Sequence, residues 1–369
     1  MQQQFVFVIG TRAQLIKAAP VIVACERRNM SVTLMMTGQH QETMQDLIEE
    51  FAIRSPQVQA VPAVERRTIR SLLLWLPQAY RGLKQQLRNL ASANVRQYVL
   101  VHGDTLSTLL GAFAARRCKG RVVHLESGLT SGRLFDPFPE EFCRRLVFRM
   151  TDVAMCPDSF ATEHMKKKRC ADVVNTGGNT ILDAVALAGV EEVLASPRES
   201  YIVVSLHRFQ NIYRAPRLEH LVSLICRISE SYPVHFVLHP ATRKRLESGG
   251  LMAQLAEGRG VRLLPRMGYR AFLRLAAGAA CVLTDGGSNQ EELAALGVPT
   301  VVMRERTERQ DGLGGNAVME AAVEDGVEQF VRGRQFEKLR RPPAIFRING
   351  PSERIASFLE GESENEAAL

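Results

Sequence analysis

Three acidic residues stand where proton-transfer chemistry would use them. Asp104 follows an apolar run in Val101-His102-Gly103-Asp104-Thr105, and Glu126 follows the next run in His124-Leu125-Glu126-Ser127-Gly128. Glu140 lies in Asp136-Pro137-Phe138-Pro139-Glu140-Glu141, where two prolines stiffen the approach to a helix. Taken singly, Asp104 or Glu140 is readily explained as a helix cap or first-turn carboxylate. Two acids at the ends of adjacent strands are harder to explain as caps, and clustered carboxylates suit general acid–base work near neutrality.

A second set of residues suits a phosphorylated ligand. Gly10-Thr11-Arg12 opens a helix that carries Lys17, and without a G-x-G-x-x-G pattern it is not a dinucleotide fingerprint. A glycine turn before a helix still offers backbone N–H groups to an anion, and a cation such as Arg12 in the first turn opposes the helix dipole unless an anion binds there. His207 and Arg208 follow another apolar run and could donate to phosphate, although a lone histidine there is more often structural. The segment Thr284-Asp285-Gly286-Gly287-Ser288-Asn289-Gln290-Glu291-Glu292 reads as a strand, a Gly-Gly turn and a helix start. Its backbone can approach a diphosphate closely, and Glu292 could accept from the two hydroxyls of a ribose. Arg309, in the loop after the next strand, could clamp the diphosphate through charge-assisted hydrogen bonds or simply lie in a surface turn.

Something must place these residues together, and the apolar pattern says what. Short runs at Phe5–Ile9, Val32–Met36, Tyr98–His102, Val122–Leu125 and Val153–Cys156 alternate with helical segments such as Thr11–Arg28, Glu42–Phe51, Arg67–Leu90, Ser107–Arg117 and Phe142–Met150. The alternation resumes from Tyr201–Ser205 through His235–Leu238, Val261–Leu264, Cys281–Thr284 and Thr300–Met303. This predicts an α/β fold with two doubly wound parallel sheets, and Pro20 is expected to kink the first helix. Open parallel sheets bind ligands at the carboxyl ends of their strands, so two facing halves would enclose a cleft lined by the residues above.

Composition narrows the classes. The chain has 369 residues, 46% of them hydrophobic, which fits two domains of ordinary size. Its seven cysteines are odd in number and form no C-x-x-C pair, so neither a disulfide framework nor a zinc site is expected, and a reducing cytoplasm fits. No signal peptide and no membrane span are expected. The net charge of +8 lacks a nucleic-acid recognition motif and is better spent attracting a phosphorylated small molecule. No cofactor and no metal are expected.

Together, GTRAQLIKAAP, TGQH, HGDT, HLESGL, PFPEE, NTGGNTILDA, LHR, TDGGSNQEE, LGVPTVVMR and TER, in this order from Gly10 to Arg309, resemble the non-hydrolysing UDP-N-acetylglucosamine 2-epimerase family. The resemblance implies two Rossmann-like domains in a GT-B arrangement, with residues 1–175 carrying the carboxylates and residues 176–355 binding UDP. Residues 356–369 would return to the first domain and end in a frayed tail. It matches Asp104, Glu126 and Glu140 to acid–base carboxylates. It matches Arg12, Lys17, His207, Glu292 and Arg309 to nucleotide-sugar and active-site positions, and Gly287 to a backbone site beside the phosphates. Gln39, His40 and His239 match positions where some bacterial members bind a second UDP-sugar as activator, and a homodimer is implied in the same way. The chain departs from the family motifs at Gln210 for glutamate, at Ser288 for a serine two positions earlier, at Thr130 for arginine and at Gln310 for proline.

The resemblance implies inversion of carbon 2 of an N-acylated hexosamine by loss and re-addition of UDP at carbon 1, giving UDP-ManNAc from UDP-GlcNAc for bacterial surface glycans. No carbonyl adjoins carbon 2, so a direct proton abstraction needs the diphosphate to depart, which calls for acids and bases at the sugar and a cationic grip on the phosphates. A hydrolysing 2-epimerase that releases free ManNAc and a GT-B glycosyltransferase are the alternatives.

Overall fold

The computed structural model describes residues 2–39, 44–62, 69–132, 138–168, 170–196, 200–258, 260–307, 309–344 and 350–367. His40 and Glu308 lie outside the described residues. The chain divides into two compact units, Met1–Ala184 with Phe346–Leu369, and Val185–Ile345.

The first unit holds strands β1 (Gln2–Ile9), β2 (Val32–Met36), β3 (Gln57–Gln59), β4 (Val95–His102), β5 (Arg121–Leu125), β6 (Val153–Cys156) and β7 (Asp172–Asn175). They form one parallel sheet in the order β3-β2-β1-β4-β5-β6-β7. The second unit holds β8 (Ile202–Ser205), β9 (Val234–Leu238), β10 (Val261–Pro265), β11 (Cys281–Thr284), β12 (Thr300–Val302) and β13 (Ala317–Met319) in the parallel order β10-β9-β8-β11-β12-β13. Sheets covered by helices on both faces need strands that are apolar at every position. Phe7, Val8, Val99 and Leu100 in one sheet, and Val203, Val204, Val282 and Leu283 in the other, are buried accordingly. Leu83, Leu87, Ala112 and Ala115 seal the first core from its helices, and Leu221, Ile225 and Val331 seal the second.

Both sheets reverse their order of strand addition at one place, between β1 and β4 in the first unit and between β8 and β11 in the second. At such a switch point the loops leave in opposite directions and open a crevice beyond the carboxyl ends. In the first unit that crevice is bordered by the Gly10 and Asp104 loops, and in the second by the His207 and Gly286 loops.

The structure adds elements that apolar patterning does not announce. β3, with the sequence Gln-Val-Gln, and β7 are sheet edges without a continuous buried run, and so lack the periodic signal of the central strands. Helices Ser159–Lys166 and Leu251–Glu257 are likewise additional. The first helix, Arg12–Arg27, continues through the buried Pro20. The C-terminal helix Pro351–Ala367 packs on it, with Arg28 bonded to Glu353 at 2.7 Å, to Ser357 at 3.0 Å and to Glu360 at 3.1 Å. All seven cysteines are free thiols, and burial pushes Cys25, Cys156 and Cys281 up to about 12. No described helix is long and apolar enough to cross a membrane, and no group of His, Cys, Asp and Glu side chains among the described residues could hold a metal ion.

Candidate active site

The turn that opens the first helix is built around Gln14. Thr11 caps the helix through its hydroxyl, which accepts from Gln14 N at 3.2 Å. Gln14 Oε1 in return accepts from Gly10 N at 2.9 Å and Thr11 N at 3.2 Å. Its amide nitrogen sits 2.7 Å from the His102 carbonyl and 2.9 Å from both Thr105 Oγ1 and Thr108 Oγ1. One buried side chain thereby ties the Gly10 turn to the Asp104 turn across the switch point. Gly10 has no alternative residue, since a Cβ there would lie 1.9 Å from Ser107 Oγ.

Asp104 follows β4 and Gly103, and Thr105 rather than Asp104 caps the helix Leu106–Arg117. Its carboxylate is therefore not spent on the helix end and pairs instead with the guanidinium of Arg144. Glu126 sits one residue past β5 with φ at 58°, a left-handed conformation uncommon for a residue with a side chain. Its carboxylate receives Lys17 Nζ at 3.1 and 3.2 Å, and His102 Nε2 lies 3.5 Å away. Lys17 and Glu126 are almost fully enclosed, with side chains 5% and 9% exposed, so each needs the other's charge. Glu140 is the first residue of the helix Glu140–Phe148 and is half-buried. The charges of Asp104 and Glu140 both add to the burial that pushes the Cys143 thiol up to about 11. Asp104 and Glu126 thus follow adjacent strands at one end of the sheet, and Glu140 shares with Asp104 an influence on Cys143.

Residues that motif reading passes over complete this set. Arg144 and Glu141 come from the same helix as Glu140, and Glu141 is wholly buried. Burial opposes ionisation of Glu141, but hydrogen bonds from Thr130, Arg145 and Ser131 N and the charge of Arg144 outweigh it, holding the carboxyl below its usual range. Thr130, which stands where the family resemblance expects arginine, donates to Glu141 at 2.5 Å. The signal for this cluster was present as acidic and basic residues three and four apart on one helix.

His124, wholly buried on β5, lies with Nε2 at 2.8 Å from the Gly103 carbonyl. A carbonyl only accepts, so Nε2 carries the hydrogen and the ring holds the turn that presents Asp104. Burial drives the imidazole from 6.5 down to about 4, assisted by the nearby Arg144 charge. The unfolded chain therefore binds a proton between these values that the folded chain refuses. The stability so contributed is full above about pH 6.5 and is lost as pH falls to about 4, amounting to about 3 kcal/mol. His124→Gln is expected to flatten the decline of urea stability between about pH 7 and pH 4.5 relative to the parent chain. Parallel declines in the two proteins would remove this account.

Other predicted positions have partners of their own. The Arg12 guanidinium forms a two-point pair with Asp46 at 2.5 Å, so a protein carboxylate meets the cation for which an anionic ligand was expected. Gln39 accepts from Ser107 Oγ at 2.5 Å, beside the Gly10 turn. His40 lies outside the described residues.

In the second unit, Asp285 organises the loops. It is wholly buried and accepts from His207 N at 3.0 and 3.1 Å, Arg208 N at 2.9 Å and Asn211 Nδ2 at 2.8 Å, with His207 Nδ1 at 3.4 Å. The His207 ring lies against Gly286, where an added Cβ would come within 3.1 Å of its Cε1, and it faces the His239 ring at 5.4 Å. His239 caps the helix Pro240–Ser248. The helix Gly287–Leu296 begins at Gly286 without a side-chain cap, so no cap side chain accepts from its first N–H groups, while Gly286 N donates to Thr284 Oγ1 at 3.2 Å. Glu292 is buried within this helix, and Arg309 pairs with Glu291 at 2.5 Å.

Two Rossmann-like units, each bearing charged and hydrogen-bonding groups at its switch point, define an α/β enzyme. The family model described as UDP-N-acetylglucosamine 2-epimerase matches residues 23–360, and the chain belongs to that family, whose members are isomerases. A UDP-N-acetylglucosamine 2-epimerase of Methanocaldococcus jannaschii is 30% identical over 374 residues, covering 95% of this chain and 97% of the relative. A UDP-2,3-diacetamido-2,3-dideoxy-D-glucuronate 2-epimerase of Pseudomonas aeruginosa is 28% identical over 363 residues, covering 95% and 98%. Among solved structures, the M. jannaschii UDP-GlcNAc 2-epimerase in complex with UDP-GlcNAc and UDP superposes with a TM-score of 0.72 at 27% identity, covering 98% of this chain and 100% of that one.

Proposed function

We propose that this enzyme inverts carbon 2 of a UDP-N-acylated hexosamine by eliminating and re-adding UDP, with UDP-GlcNAc and UDP-ManNAc as the first pair to test. A carboxylate takes the carbon 2 proton, the C–H electron pair forms the C1–C2 double bond, and the C1–O bond breaks with its pair leaving on the diphosphate. A second carboxyl group delivers a proton to the other face, and UDP re-adds to carbon 1. The observation that carries this reading is that Asp104 and Glu126 leave the carboxyl ends of the adjacent strands β4 and β5, with Arg144 on the first and Lys17 and His102 on the second, while Asp104 and Glu140 both act on Cys143. Catalysis of this type needs groups at hydrogen-bond reach of the moving proton, each worth ~10²–10⁴-fold.

In this reading each unit has its own share of the chemistry. Residues 1–175 supply the proton transfers. Residues 176–355 hold the diphosphate through the uncapped Gly286-Gly287-Ser288 turn, His207 and Arg309, with Glu292 toward the ribose. Arg12 releases Asp46 to join them. The relatives are named for UDP-N-acetylglucosamine and for a diacetamido uronate, which share an N-acyl group at carbon 2. A second UDP-sugar as activator, a homodimer, a cytoplasmic location and a role in surface glycan synthesis belong to the same proposal.

The test is incubation with UDP-GlcNAc in deuterated water. Deuterium at carbon 2 and appearance of UDP-ManNAc are expected. Release of UDP with free ManNAc would assign the hydrolysing reaction instead. No exchange with UDP-GlcNAc or with the diacetamido uronate would end the proposal.

A further inference from the structure

We propose that Arg144 is the positioning residue of the acid–base site, holding Asp104 in a single orientation while buried Glu141 holds Arg144. The inference rests on the epimerase reading above. The guanidinium spans two carboxylates, placing Nη2 on Asp104 Oδ2 and Nη1 2.7 Å from Glu141 Oε2. Glu141 cannot swing, because its Oε1 receives Thr130 Oγ1 at 2.5 Å and Arg145 Nε at 2.9 Å, and its Oε2 also receives Ser131 N at 3.2 Å. Asp104 is about a quarter exposed, with 24% of its side chain accessible, and would otherwise sample several rotamers. Arg144 thus carries the rigidity of a fully buried anchor out to a carboxylate at the crevice.

The same helix makes the coupling specific. Glu140 and Arg144 are four residues apart and share a helix face. Any shift of the helix that moves Glu140 therefore moves the clamp on Asp104, so the separation of the two carboxylates is set by one element. A lysine could supply charge but not the planar two-point fork that reaches both partners. Misplacing a reacting group by about 1 Å typically costs ~10²-fold in rate.

Arg144→Met is expected to lower kcat about 10²-fold while KM for the UDP-sugar stays within about threefold. Arg144→Lys should recover part of that loss through charge without the fork. If Arg144 works through Asp104, the double variant Arg144→Met with Asp104→Asn is no slower than Asp104→Asn alone. Methylguanidinium added to Arg144→Ala should restore part of kcat, which a fold defect would not allow. If Arg144→Met fails to fold, the lysine variant carries the test, with reduced kcat at unchanged KM expected. Wild-type kcat in either variant, losses that add in the double variant, or an effect on KM alone would overturn the proposal. The Arg144 side-chain ¹⁵N resonance, identified by its absence in Arg144→Lys, separates this proposal from the reading beneath it. If wild type exchanges no deuterium yet that resonance shifts in Asp104→Asn, the epimerase reading fails while the pairing stands. If wild type exchanges and the resonance is unmoved, the positioning role fails alone.

Discussion

Asp104→Asn is expected to reduce kcat for carbon 2 exchange about 10³-fold, while the affinity for UDP changes by less than about threefold. The two effects separate because of where the side chain sits. Asp104 lies past the end of β4, pairs with Arg144, and is not the cap of the helix that follows. Asparagine preserves its shape and can still accept from the guanidinium, so the turn held by Gly103 and His124 keeps its form. What disappears is a carboxylate able to take or give a proton, and the typical worth of such a group sets the size of the loss. Single-turnover exchange in deuterated water together with calorimetric titration of UDP measures both quantities. An active asparagine variant would remove Asp104 from the proton pathway. Equal losses of kcat and UDP affinity would instead show that the turn had collapsed.

Asp285→Ala should have the largest effect in the second unit. The carboxylate is wholly buried and receives two backbone N–H groups and the Asn211 amide, with the His207 ring beside it. Alanine leaves those donors facing a cavity without an acceptor. Removing one member of a buried charged network costs about 3–5 kcal/mol, so the urea midpoint of this unit should fall accordingly. Because the same bonds fix His207 against Gly286, UDP affinity should weaken by at least about tenfold, or roughly 1.4 kcal/mol. A variant with wild-type urea stability and wild-type UDP affinity would show that the loops after β8 and β11 are held by something else.

How far the residues alone led can be judged at particular positions. The central strands were legible because a sheet buried on both faces demands uninterrupted apolar runs, and Val6 to Ile9 and Val99 to Val101 meet that demand. The edges β3 and β7 were not, since an edge strand can be short and polar and still pair. Asp104 and Glu126 were readable because the alternation of strands and helices puts both just after strands, at the ends where open sheets bind. Glu140 needed its two prolines. Arg144 and Glu141 escaped because a charged pair on a helix ordinarily faces water, and nothing local says that this one closes over Asp104. Arg12 was readable as a cation at a helix start, but its carboxylate partner, Asp46, lies 34 residues away.

By itself, then, the order of residues determined the α/β class, the doubly wound plan and the chemical types available at each strand end. These follow from short-range rules: burial sets the apolar runs, and turns set the glycines. Which charges meet was decided only by tertiary structure. Lys17 reaches Glu126, Arg144 reaches Asp104, and Asp285 gathers the His207 loop, across 109, 40 and 78 residues of chain. The physical reason is that a Coulomb interaction depends on distance and burial in space, neither of which is encoded by neighbours along the chain.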